Sequence, residues 1–337
     1  QAMRNASDAQ SLIDTTEGAH TEITNILQRM RELAIQSVND TNVAADRANL
    51  NAEITQLTAE IDRIAAQTTW NGVSVLDGTF TSKSFQIGAE AGQTVSLDID
   101  SVSTTDLGSY KTTLATEAND VTSGSEILGD TLAVTGHLGS ADATYAAGAS
   151  AKDIATAINT DTSITGVSAT ATTKAKLDTL SAAEAVSFSL NGTAVASSTP
   201  ASTSDLRNIR DAINAVASST GVTATVGSTN AELVLTAIDG RDIAITNVVT
   251  ATTGTDFDIT ALNAAGSEVG SAITVEDTSV TAGTVTGYVE LSSMKDFSFD
   301  GAGTTTGDYA DADADLTAIS SLNISTSAGA QSAILAI

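Results

Sequence analysis

The apolar positions near the start of the chain repeat with the spacing of a coiled coil. They alternate at intervals of four and three residues, first at Ala19, Ile23, Ile26, Met30, Leu33 and Ser37, and then at Leu50, Ile54, Leu57, Ile61 and Ile64. Such spacing is the seam along which helices pack lengthwise. The polar residues 39–42 separate the two stretches. We expect an antiparallel helical hairpin, with Asp40 or Thr41 capping the second helix or a turn before it, and a further helix covering both seams.

After these helices the pattern changes to the period of two that is typical of strands. Asn71-Gly72 is a turn signal, and the segments 85–87 and 95–100 alternate between apolar and polar residues. The loop 88–92, bounded by glycines, joins these two segments. The pattern therefore predicts a β-hairpin.

The middle of the chain contains an internal repeat at an offset of 55 residues. Residues 154–159 align with 209–214, and the Thr-Gly-Val sequence at 165–167 aligns with that at 220–222. In each copy a strand precedes a short helix, which leads through the Thr-Gly-Val turn into further strands. Two tandem α+β units are the simplest interpretation.

The end of the chain is rich in alanine and returns to a helical pattern. Its apolar residues Ala330, Ala333, Ile334 and Ile337 are candidates to cover the seams of the first two helices. We therefore predict an α+β, multidomain protein with a discontinuous helical coiled-coil core domain and its β-hairpin, formed by 1–107 and 315–337. The inserted outer region comprises module 1 at 108–182, module 2 at 183–250 and a β-rich remainder at 251–314.

The amino-acid composition of the chain argues against several classes of binding partner and site. The 337 residues carry a net charge of −27, so their summed field repels a polyanion and argues against nucleic acid. No cysteine is present, which excludes disulfides and thiolate metal sites within this sequence. No apolar run approaches the roughly 20 residues that a membrane span needs, so membrane insertion is not expected. Because the sequence begins at Gln1 and ends at Ile337 inside an apolar pattern, we expect it to be part of a longer chain.

Ordered motifs at both ends resemble bacterial flagellins. The segments that are similar to the N-terminal region of that family are 6–19, 27–37, 52–57, 60–64 and 70–76, and those similar to the start of its C-terminal region are 322–326 and 328–334. The resemblance implies a structural subunit of the bacterial flagellar filament, extracellular and concerned with motility, which self-assembles with other flagellin subunits through a helical core. It also implies that the extreme terminal helices, which line the inner tube of a filament, are missing from this sequence.

The resemblance further assigns an interaction role to Arg29, Leu33, Gln36 and Glu53. The matching positions in flagellins serve subunit packing along the filament and recognition by Toll-like receptor 5. Charged groups and an apolar anchor suit such contacts. The alternative is that Leu33 simply fills the helical seam and the charges form a solvated rim.

The sequence contains few residues that could support catalysis or bind a metal ion. His20 and His137 are the two histidines, and the sequence contains no His-Glu-x-x-His, Gly-x-Ser-x-Gly or phosphate-binding loop, so we expect neither an enzyme nor a cofactor. Asp311, Asp313 and Asp315 alternate like the first ligands of a calcium loop. However, Leu316 and Leu322 replace the glycine and the glutamate that such a loop needs, so a solvated linker is the favoured interpretation.

One alternative from a different functional class stays open. A cell-surface binding protein, an adhesin or a glycan-binding protein on a flagellin-like scaffold, would use the tandem α+β units to hold its ligand. The aromatic content of 3% counts against a sugar ligand, because sugar rings commonly pack on aromatic faces.

Overall fold

A computed structural model gives the architecture of the chain. It describes residues 2–39, 41–88, 90, 92–114, 119–120, 129–251, 254–277, 280–301 and 312–337. The α-helices are α1 Ala2–Val38, α2 Ala44–Gln67, α3 Ala151–Thr160, α4 Thr162–Thr165, α5 Arg207–Ala215, α6 Ala217–Thr220 and α7 Ser327–Ala336, with a 3₁₀ turn at Ile319–Ser321. Within the described ranges, none of these helices combines the length and apolar character needed to cross a membrane.

Most strands are short, and the pairings β1–β2, β3–β4, β7–β8, β9–β13, β9–β15, β9–β18, β10–β11 and β10–β14 are all antiparallel. They are β1 Thr69–Trp70, β2 Val73–Ser74, β3 Lys83–Gln86, β4 Thr94–Leu97, β5 Gly108–Leu114, β6 Asn119–Asp120, β7 Asp130–Thr135, β8 Ser140–Tyr145, β9 Ser168–Asp178, β10 Val186–Leu190, β11 Thr193–Ser198, β12 Thr223–Val226, β13 Leu233–Ala237, β14 Ile243–Thr250, β15 Asp256–Leu262, β16 Glu268–Glu276, β17 Gly283–Val285, β18 Tyr288–Ser293, β19 Ser298–Gly301, β20 Ala312–Asp313 and β21 Asp315–Ala318. Together with the helices they confirm the predicted α+β class.

The chain folds into two compact units. The helical unit comprises Gln1–Tyr110 and Leu316–Ile337, and the inserted unit comprises Lys111–Asp315. The chain leaves the helical unit within β5 and returns to it within β21.

The predicted seams form the core of the helical unit. Met30, Leu33 and Ser37 of α1 are buried, as are Ile54 and Ile61 of α2. The third helix that these seams require is α7, whose inward side chains Ala330 and Ala333 are fully buried in the same cluster. Small alanine side chains let α7 approach the seams closely. The Ser37 hydroxyl donates to the Ile324 carbonyl at 2.6 Å, and this bond ties the segment that precedes α7 to α1.

A second cluster extends the helical unit toward the start of α1. Leu12 is fully buried against Val75, Leu76, Phe80 and Ile99, which lie around the hairpin that β3 and β4 form. α1 therefore begins well before the first seam residue, Ala19, because its early turns have an apolar partner of their own.

The structure describes one of the two residues that were expected to cap the second helix or the turn before it. Asp40 lies outside the described residues, and Thr41 lies in the turn before α2 rather than at its N-cap. The helix begins after Val43, whose main-chain N–H donates to the Asp46 carboxylate at 3.2 Å. A carboxylate in the first turn satisfies an otherwise unpaired N–H and also suits the helix dipole.

In its described residues, the inserted unit contains three sheets and two helix pairs. The strand order of one sheet is β11-β10-β14-β17-β6, and that of another is β20-β19-β7-β8. In the third, β9 pairs with β13, β15 and β18. Phe188 and Phe257 pack at a ring-centroid distance of 6.0 Å within the core of the unit.

The two repeats have matching local structures. In each, a ten- or nine-residue helix runs into a four-residue helix that ends at a glycine in the left-handed conformation, Gly166 with φ 74° and Gly221 with φ 72°. The last asparagine of each longer helix binds the following strand through both side-chain atoms. Asn159 bonds to Ala169 at 2.7 and 2.8 Å, and Asn214 bonds to Ala224 at 2.8 Å in both directions.

Candidate functional site

An exposed charge cluster bridges the two long helices. Arg29 on α1 donates from Nε to Glu53 Oε1 on α2 at 2.9 Å, and its Nη2 lies 2.8 Å from the same oxygen. Arg29 also contacts Glu32, one turn along α1, at 3.2 Å. The hydrogen bonds to Glu53 and then to Glu32 raise the pKa of the Arg29 guanidinium. Because water screens exposed ion pairs, this cluster orients charges on the surface more than it stabilises the fold.

Gln36 lies on the same helix, where α1 approaches its end. Its side chain is exposed, and its main-chain carbonyl accepts a hydrogen bond from Asn42 Nδ2 at 2.6 Å. The neighbouring Ser37 carbonyl accepts from Arg47 Nε at 2.9 Å. These two bonds satisfy carbonyls that a helix end otherwise leaves unpaired. The end of α1 is therefore held in place, and the amide of Gln36 faces solvent.

Leu33 lies beneath this surface. Only 1% of it is exposed, and it packs in the core of the helical unit with Met30 and Ile61. The structure thus brings Arg29 and Glu53 together at the surface, leaves Gln36 exposed further along α1, and places Leu33 in the seam. In this conformation Leu33 supports the face formed by Arg29, Gln36 and Glu53, which we call the α1–α2 face.

A groove of about 630 Å³ also runs between these helices, nearer to the start of α1 and the end of α2. Ala19 and Ile26 line it on α1, and Ile64 lines it on α2. The Arg63 and Glu60 side chains at the groove are joined by a 2.8 Å hydrogen bond, which lowers the pKa of Glu60. The groove therefore combines an apolar floor with a charged rim.

The structure describes the candidate metal residues only in part. Asp311 lies outside the described residues, Asp313 belongs to β20, and Asp315 is exposed at the start of β21. Across the part of the chain that the structure describes, no three His, Cys, Asp or Glu residues are grouped so as to hold a metal ion. His20 is exposed on α1, and the exposed His137 lies over Gly166.

The sequence analysis missed one buried carboxyl. Asp242 precedes β14, and its Oδ1 atom is buried with no hydrogen-bond partner among the described residues. Burial, together with the nearby charge of Asp153, raises the pKa of Asp242 to about 7, although a hydrogen bond from Thr286 opposes the shift. Three residues earlier, the Arg241 guanidinium and the Lys152 amine hold the pKa of Asp239 well below its ordinary value. The local sequence Asp-Gly-Arg-Asp gives no signal that one aspartate is buried.

Two family models match the chain. The model described as the bacterial flagellin N-terminal helical region matches residues 1–81, which include α1 and α2. The flagellin hook IN motif matches twice, at 131–182 and 186–239. The chain belongs to the bacterial flagellin family. The two hook IN matches begin 55 residues apart, which confirms the internal repeat seen in the sequence.

Curated flagellins are similar to the first part of the chain. Flagellin C of Vibrio cholerae is 52% identical over 98 residues, which cover 29% of this chain and 26% of that protein. A flagellin of Halalkalibacterium halodurans is 49% identical over 117 residues, or 35% of this chain and 42% of that protein. The matched segment thus spans about a quarter of the length of the Vibrio flagellins.

Solved structures of related proteins are also similar to this chain. FliC from Burkholderia pseudomallei gives a TM-score of 0.35 at 20% identity and covers 96% of this chain and 90% of that chain. Bacillus cereus flagellin gives a TM-score of 0.27 at 44% identity and covers 29% and 58%, respectively.

Proposed function

We propose that this flagellin is a structural subunit of the bacterial flagellar filament, outside the cell, and not an enzyme. The observation that carries this proposal is that the 81 residues matching the flagellin N-terminal helical region form the long helices of a unit whose seams are completed by α7. In a filament, such a unit packs against other flagellin subunits, and its role is mechanical.

We extend the proposal to the organisation of the chain. Residues 1–107 and 315–337 serve as the assembling core domain, and 108–182, 183–250 and 251–314 form the outer region exposed on the filament surface. The repeated hook IN match and the matching helix pairs support two related modules in this region, whose strands β9 and β13 pair in one sheet. Its excess of acidic over basic side chains suits a surface that stays in water.

Complementation of a flagellin-null bacterium tests the filament role. The gene for the full-length protein that contains this sequence should restore filaments, seen by electron microscopy, and swimming. Leu33→Asp should abolish both, because it places a charge in the helical seam. Ile238→Asp should leave both intact, since Ile238 is 81% exposed. Cells that secrete the full-length protein but make no filament would overturn the proposal.

A second proposal concerns the α1–α2 face. Arg29, Gln36 and Glu53 contact a neighbouring subunit, and Toll-like receptor 5 recognises the same face in the free subunit. The exposure of these side chains and the charge pair between Arg29 and Glu53 support this role. Leu33 contributes by holding α1 in place beneath them.

Matched ion pairs give this second proposal a control. Arg29→Ala breaks the pair on the α1–α2 face, whereas Arg63→Ala breaks an equally exposed pair with Glu60 elsewhere on α2. In a cell reporter of receptor activation, we expect Arg29→Ala to weaken the response at least about tenfold, as a hot-spot residue does, and Arg63→Ala to leave it nearly unchanged. Equal responses from the two variants would contradict receptor recognition at this face.

A further inference from the structure

The chain contains two Asn-Gly turns with nearly identical backbones. Asn71-Gly72 joins β1 to β2 with φ values of 50° and 79°, and Asn191-Gly192 joins β10 to β11 with φ values of 47° and 77°. Positive φ at both central residues is the signature of the tight hairpin turn that Asn-Gly favours. The backbone conformation therefore does not distinguish the two turns, and any difference in their chemistry has to come from their surroundings.

Three hydrogen bonds hold Asn191 to neighbouring elements, two through its side chain and one through its main chain. Its Oδ1 accepts from the Ala244 N–H at 2.8 Å, and its Nδ2 donates to the Thr220 carbonyl at 3.2 Å. Its main-chain N–H donates to the Ala244 carbonyl at 2.9 Å. The adjacent Leu190 is fully buried, and β10 lies inside a five-stranded sheet. Opening this turn would break the bonds and expose core.

Asn71 has no such restraints. It is exposed, and its side chain makes no hydrogen bond to any described residue. Strands β1 and β2 contain two residues each and form a sheet of their own. The hairpin is anchored at its base, where Trp70 packs against the Leu12 cluster and the Val75 N–H donates to the Thr68 carbonyl. Its exposed turn has only one pair of two-residue strands behind it, so the turn opens more easily than one inside a five-stranded sheet. A Cβ built on Gly72 would meet no atom within 4 Å, so the turn has open space around it.

We propose that Asn71 is a site of spontaneous deamidation, and that Asn191 is protected from the same reaction. When the turn opens, the deprotonated main-chain nitrogen of Gly72 attacks Cγ of Asn71. The new N–Cγ bond forms as the Cγ–Nδ2 bond breaks, and Nδ2 leaves as ammonia. Solvent water then opens the five-membered imide at either carbonyl, which gives aspartate or isoaspartate with no change of oxidation state.

Glycine favours the attack because it has no Cβ to hinder its nitrogen. The product adds one negative charge to the turn that follows α2. The isoaspartate form also routes the backbone through Cγ, which lengthens the turn by one atom. The helical unit thereby acquires a second covalent form. This inference does not depend on the proposed function.

Tryptic peptides separate the two sites. Cleavage after Arg63 and Lys83 releases 64–83, in which Asn71 is the single asparagine, and cleavage after Lys176 and Arg207 releases 177–207, in which Asn191 is the single asparagine. The folded chain is incubated at mildly alkaline pH, sampled over time, digested and analysed by mass spectrometry. Conversion replaces an amide NH₂ with OH, and the aspartate and isoaspartate products separate by chromatography.

We expect 64–83 to convert at least about tenfold faster than 177–207 in the folded protein, as a difference of about 1.4 kcal/mol in opening free energy would produce. In urea, where both turns are open, the two rates should become similar. Asn71→Gln should abolish conversion of 64–83, which assigns it to this residue rather than to Gln67. Equal rates for the two peptides in the folded protein, or a stable Asn71 peptide, would overturn the proposal.

Discussion

Asp239 and Asp242 lie three residues apart and have opposite electrostatic environments. Asp239 faces Arg241 and Lys152, which favour its ionised form. The Oδ1 atom of Asp242 is buried with no hydrogen-bond partner in the described part of the chain, and Asp153 lies nearby, so the neutral form of Asp242 is favoured. In the sequence, both are simply acidic residues of a chain with a net charge of −27. Tertiary packing alone determines which of these two carboxyl groups is buried away from water.

The pKa of Asp242 predicts a pH dependence of stability. Because its folded-state pKa of about 7 lies above the ordinary value of 3.8, the folded chain binds the proton more tightly than the unfolded chain. The contribution of Asp242 to the free energy of unfolding is therefore most favourable below the ordinary pKa, and it declines as the pH rises through about 7. Asp242→Asn should remove that decline. Between about pH 5 and about pH 9 the variant should gain on the order of 2 kcal/mol relative to the parent, measured by urea unfolding.

Asp239→Asn is the control with the opposite sign. The pKa of Asp239 is lowered, so its contribution is present above its ordinary pKa and is lost only in acid. This variant should be less stable than the parent at both pH values, with little change between them. If the stability difference between Asp242→Asn and its parent does not change with pH, Asp242 is ionised in the folded chain.

At the scale of elements, the seam residues predicted α1 and α2, and the alternation at 85–87 and 95–100 predicted the β3–β4 hairpin. The 11-residue strand β9 was not identified as an element of its own. Its buried face consists largely of Ala169, Ala171, Ala175 and Leu177, and alanine carries only a weak strand signal. Strand β9 is fixed by its pairing with β13, β15 and β18, which are distant in sequence.

The residues of the α1–α2 face were predicted from the family resemblance, because the spacing of residues along the chain does not show which charged side chains form pairs.

The paired asparagines of the two modules give a prediction at this scale. Asn159→Ala and Asn214→Ala each leave a main-chain N–H and a carbonyl of the following strand without a partner. Each should cost about 1–3 kcal/mol of unfolding free energy, because the strand groups are partly buried. Circular dichroism during urea unfolding measures the loss.

Asn208→Ala is the matched control for both variants. Asn208 lies on α5 like Asn214, but it is exposed and makes a single hydrogen bond, to the Thr199 carbonyl. Its replacement should change stability by less than about 0.5 kcal/mol. If Asn214→Ala were no more costly than Asn208→Ala, the paired bonds would not be holding helix to strand.

For the whole molecule, the ends of the chain form the helical unit and the middle forms the inserted unit. The discontinuous domain was predictable for two reasons. The apolar seams of α1 and α2 need a third helix to bury them, and the end of the chain has an apolar helical face. The three-sheet arrangement of the inserted unit was not predictable, because the pairings of β9 with β15 and β18 and of β7 with β19 join strands far apart in sequence. Our central claim is that the helical unit assembles and the inserted unit stays exposed.

Cysteine labelling in polymerised full-length protein tests that claim most directly. Because this sequence has no cysteine, Gln36→Cys marks the α1–α2 face and Ile238→Cys marks the inserted unit. Both positions are exposed, so a thiol reagent should label both variants in the monomer. After polymerisation, with filaments verified by electron microscopy, labelling of Gln36→Cys should fall at least about tenfold while Ile238→Cys labels as before. Equal labelling of both positions in the filament, or no filament at all, would contradict the account.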